Sequence, residues 1–267
     1  MKISAYGYLF NLNNFDFNLE KIISNFCEFF DEVCCCTLKS DNTAIEKLGK
    51  FENKYHNFKV LIEDLNIGSD NRFDGKLKSI AMGHCKNELK VIVDFDEIFP
   101  MSNKEKWNDA GKFLLNSDFD GLLIPSVDLW GDESLIKKSN FIGEKFRMHK
   151  STVVKRGVIP EAEIDGTYFD TSISDSTEPL LSNGKLASFA RIVPQDYLNP
   201  LNSENLKNYP YSLHYGWVDF KRKAKIGKNF WKKQWENRSG KIEDIPVSEE
   251  EILSKNIETI RHQIPLI

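Results

Sequence analysis

The feature that most restricts the fold is a run of short apolar segments alternating with helical patterns, closing on Val91-Ile92-Val93-Asp94-Phe95-Asp96-Glu97. Residues 2–9, 32–37, 58–62 and 89–93 read as strands, and residues 17–30, 41–55 and 75–87 as amphipathic helices, with caps offered by Asp41 to Thr43. Strands this short and this apolar, each separated by a helix, predict an α/β fold whose mostly parallel sheet is flanked by helices on both faces. Ligands of such sheets sit beyond the C-terminal ends of the strands. Asp94, Phe95, Asp96 and Glu97 follow directly at that edge, so their carboxylates belong to a crevice and not to the core.

Two carboxylates one residue apart, at the end of a buried strand, can share a hard divalent cation directly or through water. Mn²⁺ or Mg²⁺ suits the place, because either keeps open positions for pyrophosphate oxygens. The plainer reading of Asp94 and Asp96 is a turn-forming or helix-capping pair. Glu97 is a less secure ligand; the alternatives are that it points away to form an ion pair or caps the next segment.

A chain of 267 residues fits one large α/β domain, and a 40% hydrophobic fraction is enough for a proper core. The net charge of −4 argues against a protein that coats nucleic acid over its whole surface. No segment reaches the roughly 18 to 20 apolar residues of a membrane span. The opening residues are interrupted too soon by Asn to read as a signal peptide. Five cysteines, three of them adjacent at Cys34 to Cys36, form no disulfide framework and fit a reducing cytoplasm. Cys34 to Cys36 read as small apolar residues of a central strand, since no CxxC pair or suitably spaced His accompanies them.

Beyond Pro100 the pattern becomes mixed. Residues 104–116 predict a helix, 121–127 a strand, 145–156 a strand or hairpin, and 159–208 long loops with short ordered pieces. A terminal helix is expected from Ser248, as N-cap, to about His262, with Glu249, Glu250 and Glu251 in its first turn.

EVCCCTLKSDNT (residues 32–43), DGKLKSIAMGHCKNELKVIVDFDE (74–97) and YSLHYGWVDFKRK (211–223) together resemble the GT-A glycosyltransferases, particularly the family-two-like group. The resemblance implies a GT-A-like (Rossmann-like) fold with residues 1–100 as the nucleotide-sugar-binding half. Residues 101–267 would be the acceptor-binding half of the same domain, with a C-terminal extension. By position, Asp94 and Asp96 resemble the DxD pair, and Asp41 the acidic residue that contacts the nucleotide. Thr37, Leu38 and Lys39 depart from the acidic pair and Gly with which the group usually ends its second strand.

The implied activity is metal-dependent transfer of a sugar from a nucleoside-diphosphate donor, UDP-sugars favoured, to a glycan, lipid-linked or other hydroxyl acceptor. Lys76 and Lys78 lie on a helix before the DxD strand, where spacing of two puts them on different faces; one meeting the donor's phosphates and one solvated is the preferred reading, and both solvated is the plain alternative. His214, in a stretch similar to the group's C-terminal HYGW, is either a further manganese ligand or a packed, hydrogen-bonded residue. Asp132 or Glu133 would take the acceptor proton in an inverting reaction, or else they form a turn, and Trp130 beside them would stack on a sugar. The basic run at 221–233 is a surface for diphosphate, anionic acceptor or acidic lipid at the inner membrane face, or, with Phe230, Trp231 and Trp235 interleaved, a nucleic-acid or sugar-stacking surface, or else a solvated helix face. A nucleotidyltransferase and a non-catalytic binding protein on the same scaffold are the alternatives. The first lacks a Gly-rich loop with Arg or Lys after the opening strand, and the second has no need of an acidic pair.

Overall fold

The computed structural model describes residues 1–12, 18–65, 73–137, 144–151, 180–182, 185–187, 189–193, 205–228, 248–254 and 259–261. Its first part follows the anticipated alternation: β1 (Ile3–Tyr8), α1 (Leu19–Phe29), β2 (Glu32–Leu38), α2 (Asn42–Lys54), β3 (Phe58–Glu63), α3 (Phe73–His84) and β4 (Leu89–Ile92). Then come β5 (Glu97–Ile98), α4 (Lys104–Asn116), β6 (Gly121–Asp128), β7 (Leu135–Lys137) and β8 (Glu144–Lys150). Short strands β9 (Leu180–Ser182), β10 (Lys185–Ala187), β11 (Phe189–Arg191) and β12 (Ser212–His214) precede α5 (Phe220–Ile226), α6 (Glu249–Ser254) and β13 (Thr259–Arg261).

One sheet runs β3-β2-β1-β4-β8-β6-β12-β5, with β11 also on β6. Strands β1 to β4 pair in parallel, and β8 enters antiparallel between β4 and β6. β6 then takes β11 along its first residues and β12 along its last, both in parallel. The sheet is therefore mixed but mostly parallel, with helices against both faces, as the alternation requires. In β2, Cys35 joins the larger core cluster with α1 and α2, whereas Cys34 and Cys36 pack with Leu77 and Ala81 of α3. Alternate side chains of one strand thus serve two apolar layers, which explains why β2 shows no polar face.

Helix α1 buries Leu19, Ile22, Ile23, Phe26 and Phe29, a spacing that lays one apolar stripe on the sheet. Phe26, Phe29 and Phe30 meet Phe99 edge-on or tilted, with centroids 4.9 to 5.7 Å apart. That cluster fixes the segment just after Glu97, and so one wall of the crevice. Gly7 in β1 is required by a close approach: a Cβ there would lie 2.4 Å from the Val93 carbonyl oxygen.

Two expectations change. The terminal helix, described over Glu249–Ser254, does not run to His262; residues 259–261 form β13, paired antiparallel with β7 so that Ile260 is the register partner of Ile136. Pairing with a distant strand overrides the local helical pattern there, although Ser248 does cap the helix by accepting from the Glu251 N–H. The strand predicted over 145–156 is β8, ending at Lys150. Phe17, residues 152–156, most of 159–208, residues 229–247 with Phe230, Trp231 and Trp235, and His262 lie outside the described residues. Among those described, no helix is long and apolar enough to cross a membrane.

Candidate active site

The crevice opens where β4 ends. Val93 is still tied to β1, its N–H donating to the Tyr6 carbonyl at 2.9 Å. The chain then turns: Glu97 N–H donates to the Asp94 carbonyl at 3.1 Å, and Asp94 N–H to the Glu97 carboxylate at 3.2 Å. This turn delivers Asp94 and Asp96 into the site and sends Glu97 inward, where it is fully buried.

Glu97 is therefore a structural acid. Its carboxylate pairs with Arg147 of β8, which is itself 1% exposed, and accepts from Ser126 Oγ at 3.3 Å. Arg147 also donates to the Ile92 carbonyl at 3.2 Å and lies 3.8 Å from Asp94 Oδ2. It stands at a register shift between β8 and β6, where Met148 faces Leu122 and Phe146 faces Leu123, leaving Arg147 without a residue opposite. A bulge of this kind re-aims a side chain beside a functional edge.

On the other side of Asp94, Lys78 of α3 donates to its Oδ1 at 3.1 Å and lies 5.8 Å above the Tyr8 ring. Lys76, also on α3, is half-buried.

Asp96 faces His214, whose Nε2 is 3.1 Å from Asp96 Oδ2 and whose Nδ1 is 2.6 Å from Asp128 Oδ1. His214 ends β12, which lies between β5 and β6, so sheet pairing sets Glu97, His214 and Asp128 side by side. Tyr215 N–H donates to the Asp96 carbonyl at 2.6 Å and clamps the two segments together. Burial resists charging of the imidazole, but Asp96 and Asp128 outweigh it and push the pKa up to about 9. For Asp96, burial likewise opposes the charge, yet His214 and Lys223 hold the carboxyl below its usual range.

Gly216 makes this approach possible. A Cβ on it would meet His214 Nε2 at 2.5 Å and Asp96 Oδ2 at 2.8 Å, so a larger residue would enter the pair itself.

Two carboxylates and an imidazole form a donor set suited to Mn²⁺, and Asp128 at Nδ1 orients the ring as an outer carboxylate does in His-ligated sites. The donors have not closed on one point. Among the described residues only Glu32, Cys34 and Cys85 have three candidate ligand atoms all within 4.8 Å of one another, while Asp94 and Asp96 are engaged by Lys78, Arg147 and His214.

The remaining candidates have partners of their own. Asp41 caps α2, accepting from the Ala44 N–H at 2.9 Å, and its second oxygen accepts from the Asn11 N–H. Asp132 is held in its own turn, accepting from the Ser134 N–H at 2.7 Å and from the Ser134 hydroxyl. Glu133 pairs with Lys21 at 3.0 Å, and Lys21 also donates to the Tyr215 hydroxyl at 3.1 Å. Trp130, expected to face a sugar, is only 6% exposed and stacks on Trp217 with centroids 5.0 Å apart; Phe220 covers it as well. Lys223, from the described part of the basic run, lies 4.5 Å over the Trp217 ring.

Sequence reasoning missed Arg147, Asp128, Tyr215 and Gly216. Asp128 carries the same signal as Asp94, an acid directly after an apolar run (Gly-Leu-Leu-Ile-Pro-Ser-Val) at a strand end. Arg147 has no such signal, because the bulge that aims it depends on two distant strands.

No protein-family model and no curated protein matches the sequence. Among solved structures the chain is similar to Staphylococcus aureus TarS 1–349, at 14% identity over 96% of this chain and 70% of that one, with a TM-score of 0.44. The same protein in complex with UDP-GlcNAc matches at 18% identity over 73% of this chain and 59% of that one, TM-score 0.46. HddC from Yersinia pseudotuberculosis matches at 11% identity over 77% and 97% of the two chains, TM-score 0.39. With TM-scores below 0.5, a functional reading has to rest on the chain's own residues.

Proposed function

We propose that this chain is a metal-dependent glycosyltransferase that moves a sugar from a nucleoside-diphosphate sugar, with UDP-sugars favoured, to a hydroxyl acceptor. The observation that carries the reading is the meeting of Asp96 with His214, 118 residues apart in sequence, at the C-terminal end of β4 and with Asp128 behind the ring. Asp94, Asp96 and His214 would hold Mn²⁺ or Mg²⁺. When bound, the ion would neutralise the diphosphate and stabilise the charge that grows as it leaves. Lys78, beside Asp94, would exchange that carboxylate for a donor phosphate, with Lys76 on the same helix. Asp41 would position the nucleotide, and Asp132 would take the acceptor proton if the reaction inverts configuration.

The test is to incubate the protein with a panel of nucleotide sugars, with Mn²⁺ or with chelator, and to identify the products. Metal-dependent release of a nucleoside diphosphate, with the sugar on an acceptor or on water, supports the reading. Pyrophosphate formation from a nucleoside triphosphate and a sugar phosphate would instead establish a nucleotidyltransferase.

A further inference from the structure

A second group of ligating side chains lies at the opposite end of the sheet from the crevice. Glu32 opens β2, Cys34 follows two residues later on the same face, and Cys85 comes directly after α3. Their candidate ligand atoms, a carboxylate oxygen and two Sγ atoms, all lie within 4.8 Å of one another. Both cysteines are free thiols, Cys34 fully buried and Cys85 8% exposed, whereas Glu32 is half-buried.

The surroundings hold these groups in place. Glu32 Oε2 accepts from Ser4 Oγ at 2.6 Å and from the Lys86 N–H at 2.8 Å. Cys85 N–H donates to the Met82 carbonyl at 3.2 Å, and its Sγ lies 3.5 Å from the Ala81 carbonyl. Lys90 of β4, 5% exposed, reaches the same turn and donates to the Met82 and Cys85 carbonyls at 2.8 and 3.0 Å.

A buried ammonium beside two neutral thiols and one carboxylate is an unusual choice for a core, since burial alone disfavours its charge. The charges balance if the thiols ionise around a divalent cation. Two thiolates and a carboxylate leave one negative charge on such a complex, and Lys90 neutralises it.

We infer that Glu32, Cys34 and Cys85 form a second metal site, specific for a thiophilic divalent cation such as Zn²⁺, with Lys90 as its counter-charge. Thiolate ligands select zinc over the magnesium or manganese suited to the oxygen-rich crevice. Each ion bound displaces the two thiol protons to solvent, and a water molecule completes four-coordination. The site ties the start of β2 to the end of α3, the helix that presents Lys78 to Asp94. It does not depend on the proposed glycosyl transfer.

Co²⁺ is the probe, added to the reduced, chelator-treated full chain. The expected result is a near-ultraviolet thiolate-to-cobalt charge-transfer band saturating at about one ion per chain, bleached by Zn²⁺, with release of about two protons. The band persists in Asp96→Ala and is lost in Cys34→Ser and Cys85→Ser. Should the serine variants not fold, Glu32→Gln keeps the size of the side chain and is expected to weaken Co²⁺ binding by roughly tenfold or more. Absence of the band in the reduced wild-type protein, or its survival in both serine variants, overturns the inference. So does an unchanged affinity in Glu32→Gln.

Discussion

The two acids of the crevice sit in contrasting settings. Asp94 is gripped by permanent cations, Lys78 and Arg147, which come from α3 and β8 on the early side of the sheet. Asp96 is held by a titratable ring on β12, itself leaned on by Asp128 of β6. One flank is therefore charge-compensated at any physiological pH, while the other depends on the proton that His214 carries. Under the proposed function, a metal ion and a proton would compete at the Asp96 flank, and donor phosphate and carboxylate would compete for Lys78 at the Asp94 flank.

The largest effect expected is from Asp96→Ala, which removes the carboxylate facing His214 and should abolish metal-dependent nucleotide binding in a calorimetric titration. If that variant kept undiminished metal dependence, the assignment of this flank would fail. Arg147→Met should come next, through stability and not binding alone. It leaves Glu97 buried without its cation, a loss of about 3–5 kcal/mol in a denaturant titration for a broken buried pair. An unchanged midpoint would mean that Arg147 does not anchor the Asp94 flank.

Asp128→Asn sharpens the comparison, because it removes only the charge behind the His214 ring. Outer-carboxylate losses typically weaken metal binding about 10- to 100-fold, so Mn²⁺ affinity should fall in that range while the fold is kept. Gly216→Ala should perturb the same flank by steric intrusion. The methyl carbon would lie 2.5 Å from His214 Nε2 unless the ring moves, so reduced Mn²⁺ affinity with near-normal stability is expected.

The smallest effect is on pH dependence of stability with metal chelated. Because the pKa of His214 is raised to about 9 in the fold from an ordinary 6.5, the imidazolium's stabilisation is complete below about 6.5. It is then lost as pH rises through about 9. Thermal unfolding of wild type should therefore decline across that window, and His214→Ala should flatten the decline. A decline of equal size in the variant would place the titration elsewhere.

Apart from Arg147, much of the Asp94 flank is legible in sequence, because it is local. An apolar run ending in Asp94 and Asp96, after three strand and helix units, fixes both the sheet edge and the position of the acids. Lys78 is four residues beyond Asp74 on an evident helical segment, and its divergence from Lys76 follows from helical spacing alone. The late flank is less so. β12 is three residues long and owes its place to pairing with β5 and β6, so Ser212-Leu213-His214 carries no recognisable strand pattern. The bulge that aims Arg147 and the strand at 259–261 likewise arise from partners more than 20 residues away. Cys34 read alone is an apolar strand residue; only folding brings Cys85 and Lys90 to it.

The measurement closest to the central claim is calorimetric titration of the wild-type chain with UDP, with and without Mn²⁺. Binding that requires Mn²⁺, and that disappears in Asp96→Ala, is the predicted result. UDP binding of equal strength with metal fully chelated would contradict the account.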